Sequence, residues 1–268
     1  MSRAINRNSL FSEAYRRLLN VKQFKFKGIS SFTLHILAMT LMLCDHLWAT
    51  LFPAQEWLTC IGRMAFPIFA FMIVEGYFHT SSVGKYILRL FAFAIISEVP
   101  FNLIYGSSVV FPFHQNVLWT FLIALFSINL IEKTKAAKKW WLTCLVVIAT
   151  VLVDFLLGTI AMVDYFGAGV LTVLVFYFFR ERKWWCFLGQ LVCLAIININ
   201  ILGGYYYSIS IAGYEFSVVQ QGFALLALIP IWLYGGHQGY HSKPFQYFCY
   251  AFYPLHLLIL YLIWQCVS

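Results

Sequence analysis

Residues 39–48 read MTLMLCDHLW, an apolar run that is interrupted by an acid and an imidazole, Asp45 and His46. The run lies within an apolar stretch that is long enough for a membrane-crossing helix, about 20 residues. An Asp at the centre of such a helix costs roughly 2.5–3.5 kcal/mol on insertion scales. Membrane segments keep ionisable residues mainly for function or for a buried partner. We therefore expect Asp45 and His46 to have one of these roles.

The composition excludes a soluble globular domain. Of the 268 residues, 62% are hydrophobic and 10% are charged, whereas soluble domains carry about 25% charged residues. The repeated long apolar runs are typical of helices and not of a β-barrel. We therefore predict an all-α, polytopic transmembrane helix bundle, with one domain over residues 32–268 and a basic cytoplasmic segment over residues 1–31.

The N-terminal segment has many basic residues and a single acid, Glu13. It has no compact apolar core followed by a cleavage site, so we expect no removable signal peptide. A basic amphipathic helix over Leu10–Leu19 that lies on an anionic leaflet is one interpretation. A cytoplasmic tail that sets the topology explains the same charges. The basic residues are Arg3, Arg7, Arg16, Arg17, Lys22, Lys25 and Lys27.

About nine apolar stretches have the length expected of membrane spans. The fifth and sixth are separated only by a short turn at residues 158–163, and one long re-entrant element is the alternative for this pair. The predicted spans are residues 32–53, 60–79, 86–105, 116–132, 140–159, 164–179, 184–203, 217–235 and 245–266.

The charges in the connections alternate along the chain. Every second connection is basic, and the connections between them hold no Lys or Arg. Because cytoplasmic loops are rich in Lys and Arg, nine spans predict a cytoplasmic N-terminus and an external C-terminus. This topology accounts for the net charge of +8 without nucleic-acid binding. The basic connections hold Lys85, Lys133 to Lys139, Arg180 to Lys183, and Lys243; the others hold Glu56, Asp164 and Glu215.

The polar residues within the predicted spans collect at one depth, the outer half of the membrane. At least five helices contribute to this layer, which indicates a water-accessible pocket that faces outward. Interfacial anchoring, packing and hydrogen bonds within the bundle remain the alternatives for its individual members. The residues are Asp45, His46, Arg63, Glu98, Asn102, His114, Asn116, Asp154 and Asp164.

Helix geometry separates the roles of Asp45 and His46, because adjacent residues of a helix point about 100° apart. We expect His46 to face the pocket and Asp45 to pair with Arg63 or with a neighbouring helix. Glu98 lies near Pro100, which loosens its helix, and we expect Glu98 or Asp45 to orient the imidazole of His46.

The sequence predicts no metal site. The seven cysteines form no CxxC pair, and most lie in apolar runs, where Cys behaves as a small hydrophobe. His237 and His241 have a spacing of four, but glycines at 235, 236 and 239 oppose the helix that would bring them together. The chain has no HExxH, GxSxG or Walker motif.

An ordered series of motifs resembles the TraX family of bacterial membrane proteins. It begins with LCDH at residues 43–46, IGRMAFPIFAF at 61–71 and VEGY at 74–77. It continues with ISEVPFN at 96–102, QNVL at 115–118, DY at 164–165 with Gly167 and Gly169, and FYPLH at 252–256. The resemblance covers almost the whole chain from about residue 33.

The resemblance implies an acetyltransferase. The family's named member is implicated in acetylating the N-terminus of F-type pilin, and the family is similar to membrane-bound acyltransferases that use an intramembrane His. Acetyl-CoA would be the donor at the cytoplasmic face, and a pilin or other exported peptide would be the acceptor. The implied catalytic residues are His46, Asp45 and Glu98; the acceptor site has Arg63, Asn102, His114, Asn116, Asp164 and His256, and the donor site has Glu75 and Arg89.

Two other functions fit the same residues. A proton-coupled transporter or flippase would use the buried acids and His46 as a proton relay. A non-catalytic assembly factor for a pilus or secretion machine would use the polar layer as a docking groove. The polar layer on one side only and the lack of an internal repeat favour the enzyme over the transporter.

Overall fold

The computed structural model describes residues 28–211 and 213–267, where the chain forms ten α-helices. The basic segment through residue 27, with the helix predicted at Leu10–Leu19, lies outside the described residues. The α-helices are α1 Ser31–Thr50, α2 Glu56–Gly62, α3 Ala65–His79, α4 Val83–Tyr105, α5 Val117–Ala136, α6 Trp140–Ile160, α7 Phe166–Phe178, α8 Trp184–Ala195, α9 Leu228–Trp232 and α10 Lys243–Val267.

Seven helical stretches are long and apolar enough to cross a membrane, which confirms the predicted class of helical membrane protein. Two shorter apolar stretches, Phe166–Phe178 and Gln220–Trp232, occupy the positions of the sixth and eighth predicted spans. The long stretches are α1, residues 56–79, α4, α5, α6, residues 184–202 and α10.

Helix α6 has the surface expected of a helix that faces lipid. Only Thr150, Asp154 and Gly158 are buried along its length, and they are spaced four residues apart on one face. The remainder of the helix exposes large apolar side chains such as Leu145 and Leu152. Such an apolar exterior is unfavourable in water and suits a bilayer.

Helix α7 is short but central, and it is separate from α6. Residues 140–160 and 166–178 form two helices, so the alternative of one re-entrant element was wrong. Most side chains of α7 are buried. A Cβ at Gly167 would come within 2.1 Å of the Phe155 carbonyl oxygen, so the absence of a side chain permits this close crossing.

Three predicted spans differ from the structure at their boundaries. The second begins at Glu56 instead of residue 60 and is interrupted at Arg63, which ends α2. The seventh finishes as a π-helix over Ile196–Leu202. The eighth, predicted from residue 217, begins only at Gln220, as a 3-10 helix over Gln220–Ala227 that leads into α9.

A β-hairpin replaces the loop predicted between the seventh and eighth spans. Strand β1, Tyr206–Ile211, pairs antiparallel with β2, Tyr214–Val219. Gly213 has a φ of 83° in the connection, a conformation that favours glycine. The aromatic and β-branched residues on both sides of this turn favour strands, and that pattern was misread as a loop.

Contacts between connections divide the bundle into two ends. Ile29 bridges Tyr234, Glu75 pairs with Arg180, and Tyr177 bonds Glu132. We call this the basic end. Gln115 bridges Val163 at the opposite end, which we call the acidic end because Glu56, Asp164 and Glu215 belong to its connections. The two groups match the predicted alternation, while the side of the membrane that each end faces stays a prediction from charge.

Candidate functional site

A cavity of about 210 Å³ lies in the acidic-end half of the bundle. Its lining comes from six helices, α1 to α5 and α10, and from the connections before α5 and α7. The cavity brings together many of the polar residues predicted at this depth. Its polar lining includes Asp45, His46, Arg63, His114 and Asp164, and its aromatic lining includes Phe66, Tyr105, Tyr165 and Tyr253.

His46 forms a hydrogen-bonded pair with His256 of α10. The distance from His46 Nδ1 to His256 Nε2 is 2.6 Å, and the two rings are nearly parallel with centroids 4.9 Å apart. Both residues are buried, at 8% and 6% exposure. His256 was predicted as an acceptor-site residue or a packing group, and it is instead the direct partner of His46.

The hydrogen bonds define the tautomers of the neutral pair. His256 Nδ1 lies 2.7 Å from the carbonyl oxygen of Phe252, which can only accept, so Nδ1 of His256 carries the hydrogen. His256 Nε2 therefore accepts from Nδ1–H of His46, and the lone pair of His46 lies on Nε2. Among the described residues this nitrogen has no hydrogen-bond partner, and His46 lines the cavity.

Asp45 pairs with Arg63, as the helix geometry indicates. Asp45 Oδ1 accepts from Arg63 Nη2 at 2.6 Å and from the Thr59 hydroxyl at 2.7 Å. A Cβ at Gly62 would lie 2.5 Å from Cβ of Asp45, so α2 approaches α1 this closely because Gly62 has no side chain. The prediction that Asp45 orients His46 was wrong, because its carboxylate binds the next helix.

His114 and Asp164 form the opposite wall of the cavity. Nε2 of His114 is 3.5 Å from Oδ1 of Asp164. Asp164 is held by its backbone, which donates to the Gln115 carbonyl at 2.9 Å. The following residue, Tyr165, has a φ of 60°, a left-handed conformation that bulky residues rarely adopt. Its ring stacks on Phe66 with centroids 4.1 Å apart.

Glu98 lines neither the acidic-end cavity nor a second cavity that reaches the basic end. The prediction that it orients His46 was therefore wrong. Its Oε2 accepts from the Asn116 amide and from Trp119 Nε1, the latter at 2.9 Å. Its Oε1 is buried with no partner among the described residues. Glu98 therefore links α4 to the start of α5.

Asn102 and Asn116 also lie outside the cavities, contrary to the prediction that they contact an acceptor. Asn116 caps α5 by accepting from Leu118 N–H and donates to the Ala94 carbonyl at 2.9 Å. Asn102 donates to the Val109 carbonyl at 3.2 Å. Asp154 accepts from Ser127 at 2.8 Å between α6 and α5. These side chains satisfy the polar groups of helix ends and helix contacts, which is a stabilising role.

A second, larger cavity of about 510 Å³ reaches the basic end. Both residues predicted for the donor site, Glu75 and Arg89, line it. Glu75 is paired with Arg180 at 2.7 Å, whereas Arg89 is exposed and makes one 3.4 Å bond to the Tyr250 hydroxyl. Deeper in the bundle the lining becomes apolar, with Met39, Met42, Phe69, Met72 and Leu90.

The two cavities meet in the middle of the bundle. Five side chains line both of them and form a wall between them, and we refer to these residues as the shared wall. His46 lines only the acidic-end cavity. The shared wall consists of Met42, Phe69, Val117, Phe121 and Tyr253.

No three His, Cys, Asp or Glu side chains among residues 28–211 and 213–267 form a group that could hold a metal ion. The cavity at the acidic end thus offers an imidazole lone pair, a guanidinium and a carboxylate as its reactive or binding groups. The contact between His256 and His46 was not predicted from the sequence, although the motif FYPLH at residues 252–256 was the available signal.

These features define a polytopic helical membrane protein with a buried histidine pair beside a cavity. The family model for TraX protein matches residues 30–264, so the chain belongs to the TraX family, which confirms the resemblance in the motifs. It is similar to the "Probable fimbrial assembly protein FimC, serogroup H1" of Dichelobacter nodosus, with 25% identity over 247 residues that cover 86% of this chain and 94% of that protein. No solved structure matches the chain.

Proposed function

We propose that the protein is a membrane-embedded acyltransferase of the bacterial inner membrane. It transfers acetyl from acetyl-CoA to the N-terminal amine of a pilin or another exported peptide, and so has a role in pilus formation. One observation carries this proposal. The free lone pair of His46 lies on a cavity that shares a wall with a second cavity from the opposite end of the bundle.

The comparisons support the choice of acceptor. The chain belongs to the TraX family, and its resemblance to that family implies pilin acetylation. The relative from Dichelobacter nodosus is named for fimbrial assembly and aligns with most of this chain. Both point to a pilus protein as the acceptor, and the predicted topology brings such an exported chain to the acidic end.

The cavity at the basic end suits an acyl-CoA donor. Its volume of about 510 Å³ lies within the range of small-molecule sites, about 300–1,000 Å³. Arg89 at its mouth has guanidinium donors for a phosphate, and the apolar interior suits the acyl-carrying arm. Glu75 lines the same cavity and pairs with Arg180. It does not bind phosphate, because a carboxylate repels an anion.

In the proposed reaction His46 acts as a general base. A neutral acceptor amine attacks the thioester carbonyl carbon, and the new C–N bond forms while Nε2 of His46 takes one proton from the nitrogen. The C–S bond then breaks, and the proton passes from His46 to the leaving thiolate. The products are an acetylated amine and free CoA thiol, and His46 is again neutral. Transient acylation of His46 itself is the alternative route.

His256 and Arg63 assist this reaction. Because His256 accepts from Nδ1–H, it holds the imidazole of His46 with Nε2 unprotonated. Arg63 Nη1 has no hydrogen-bond partner among the described residues, while its Nη2 and Nε bind Asp45 and Thr59. A guanidinium N–H on the cavity stabilises the oxyanion that develops on the thioester carbonyl.

Purified protein in lipid vesicles tests the proposal. With isotope-labelled acetyl-CoA and a synthetic pilin N-terminal peptide, we expect labelled acetyl on the peptide amine by mass spectrometry, and none on a peptide whose amine is blocked. His46→Ala should lower the rate per folded molecule by about 10²–10⁴-fold, the usual contribution of a positioned base. Failure of the wild-type protein to acetylate, or an unchanged rate in His46→Ala, would contradict it.

A proton-coupled transporter or flippase is the second candidate, because it too would use cavities that reach opposite ends of the bundle. It predicts solute movement driven by a pH gradient and no saturable binding of acetyl-CoA. A non-catalytic assembly factor predicts that pili assemble normally with His46→Ala. Saturable binding of acetyl-CoA by the purified protein supports the enzyme against both.

A further inference from the structure

The shared wall separates the proposed donor from the proposed base. The donor enters the basic-end cavity, but His46 lines only the acidic-end cavity. The thioester carbonyl must therefore pass the shared wall before the acceptor amine attacks it. The donor enters with its acyl group first, so the small acyl end passes the shared wall ahead of the carbonyl. It must lie in the acidic-end cavity during the reaction.

Phe69 is the least constrained of the three aromatic side chains in the shared wall. Phe121 stacks on Phe66 with nearly parallel rings 5.7 Å apart, and Tyr253 packs against His46 with ring centroids 6.3 Å apart. Phe69 has no ring partner among the described residues, and it is only half-buried while Phe121 and Tyr253 are buried. Rotation of Phe69 thus breaks no ring contact, unlike rotation of Phe121 or Tyr253.

The space beyond the wall suits only a short acyl chain. The acidic-end cavity has about 210 Å³, and the ion pair of Asp45 and Arg63 and the pair of His114 and Asp164 line it. Each methylene of the acyl chain that moves from an apolar surface to a polar one costs about 0.8 kcal/mol, which lowers the transfer rate by roughly a factor of four. A longer acyl chain would also compete for this space with the acceptor.

We propose that Phe69 is a specificity-determining gate that limits the donor to short acyl groups. This proposal rests on the proposed acyl transfer. Phe69 closes the wall in the resting protein and turns aside for a thioester with a small acyl end. Phe69 does not touch the proton of the acceptor, so its replacement changes which donors react and leaves the role of His46 unchanged.

Transfer rates with acetyl-, butyryl- and octanoyl-CoA test the gate. Phe69→Ala should raise the butyryl-to-acetyl rate ratio by about tenfold or more, because the two extra methylenes can then occupy the apolar space of the removed ring. Phe69→Trp should lower acetyl transfer at least about tenfold, because the larger ring fills the passage between the two cavities. An unchanged ratio in Phe69→Ala overturns the proposal.

Phe71→Ala is the matched control. Phe71 lies two residues further along α3, lines neither cavity and packs on Phe176 and Tyr234. Its replacement removes the same atoms from the same helix, so we expect lower stability with an unchanged rate ratio. If Phe71→Ala changed the ratio as much as Phe69→Ala, general loosening of the helix would explain the effect and the gate would be wrong.

A labelling experiment separates failure of the gate from failure of the proposed function. Ala49→Cys introduces a thiol in the lining of the acidic-end cavity. A membrane-impermeant thiol reagent is applied from the cytoplasmic side, and peptide mass spectrometry follows the modification at position 49. Adding Phe69→Ala should speed it at least about tenfold, whether or not the protein transfers acetyl. Absence of wild-type acetyl transfer overturns the proposed function, and an unchanged labelling rate overturns the gate.

Discussion

His46 with His256 and Glu98 with Asn116 are two polar clusters that each join a pair of helices. The first joins α1 to α10 through a 2.6 Å bond, and the second joins α4 to α5. Glu98 makes its bonds within the helix contact and lines neither cavity. His46 makes one bond to the protein and lines a cavity with its second nitrogen unpartnered among the described residues.

The comparison shows that depth in the membrane does not distinguish a reactive group from a stabilising one. Both clusters lie in the polar layer, and both contain an ionisable residue that is costly to bury. The distinction comes from where the remaining lone pair points. A buried group that bonds only within a helix contact and lines no cavity stabilises the bundle, and a group with a lone pair on a cavity can act on a ligand.

Arg63→Met gives the largest expected change in stability. Asp45 would lose the guanidinium and keep only the Thr59 hydroxyl at Oδ1, and removing one partner of a buried ion pair costs roughly 3–5 kcal/mol. Chemical unfolding in detergent measures it. The double variant with Asp45→Asn should lose less than the sum of the single losses, because the two residues are coupled. Additive losses would show that the pair stabilises nothing jointly.

His256→Ala should lower acetyl transfer by about 10–100-fold, the usual effect of losing a group that orients a reactive imidazole. The loss should appear in kcat, since the donor and acceptor cavities remain. His256→Gln offers an amide oxygen to Nδ1–H of His46 and should recover part of the rate. A change confined to KM, or no rescue by Gln, would contradict the orienting role.

Glu98→Ala should lower the free energy of unfolding by about 1–3 kcal/mol, because it leaves the donors of Asn116 and Trp119 without their acceptor. The transfer rate per folded molecule should stay at the wild-type value. Unfolding curves and single-turnover rates on the same preparation measure both quantities. A rate loss comparable to that of His46→Ala would move Glu98 into the reactive cluster.

Glu98→Gln should have the smallest effect. The amide oxygen of Gln can still accept from Asn116 and Trp119, so we expect a change in the free energy of unfolding within about 1 kcal/mol. The same unfolding measurement checks it. A larger loss than in Glu98→Ala would show that the second carboxylate oxygen has a partner of its own.

The sequence predicted the membrane helices well, and several of the predicted polar residues line the cavity in the acidic-end half of the bundle. Length and hydropathy are local properties of the chain, and an apolar helix has few other structures available in a bilayer. The β-hairpin at residues 206–219 was missed because alternating aromatic and polar residues also occur in interfacial loops. The shift of the eighth span to Gln220 follows from the same misreading.

The partners within the site were harder to predict. The pair of Asp45 and Arg63 joins neighbouring helices, and helix geometry indicated it. His256 lies 210 residues from His46, and no local pattern reports a contact over that distance. For Glu98 and Asn102 the sequence did not predict the rotation of α4, which turns Glu98 towards Asn116 and Trp119, away from both cavities.

Acetyl transfer by His46→Gln and Glu98→Gln in the same vesicle assay tests the central claim most directly. Both changes put an amide in place of an ionisable group. We predict that His46→Gln loses about 10²–10⁴-fold in rate, because an amide cannot take the proton, and that Glu98→Gln transfers acetyl at the wild-type rate. Equal losses in the two variants, or a loss in Glu98→Gln alone, would contradict the assignment of His46 Nε2 as the reactive atom.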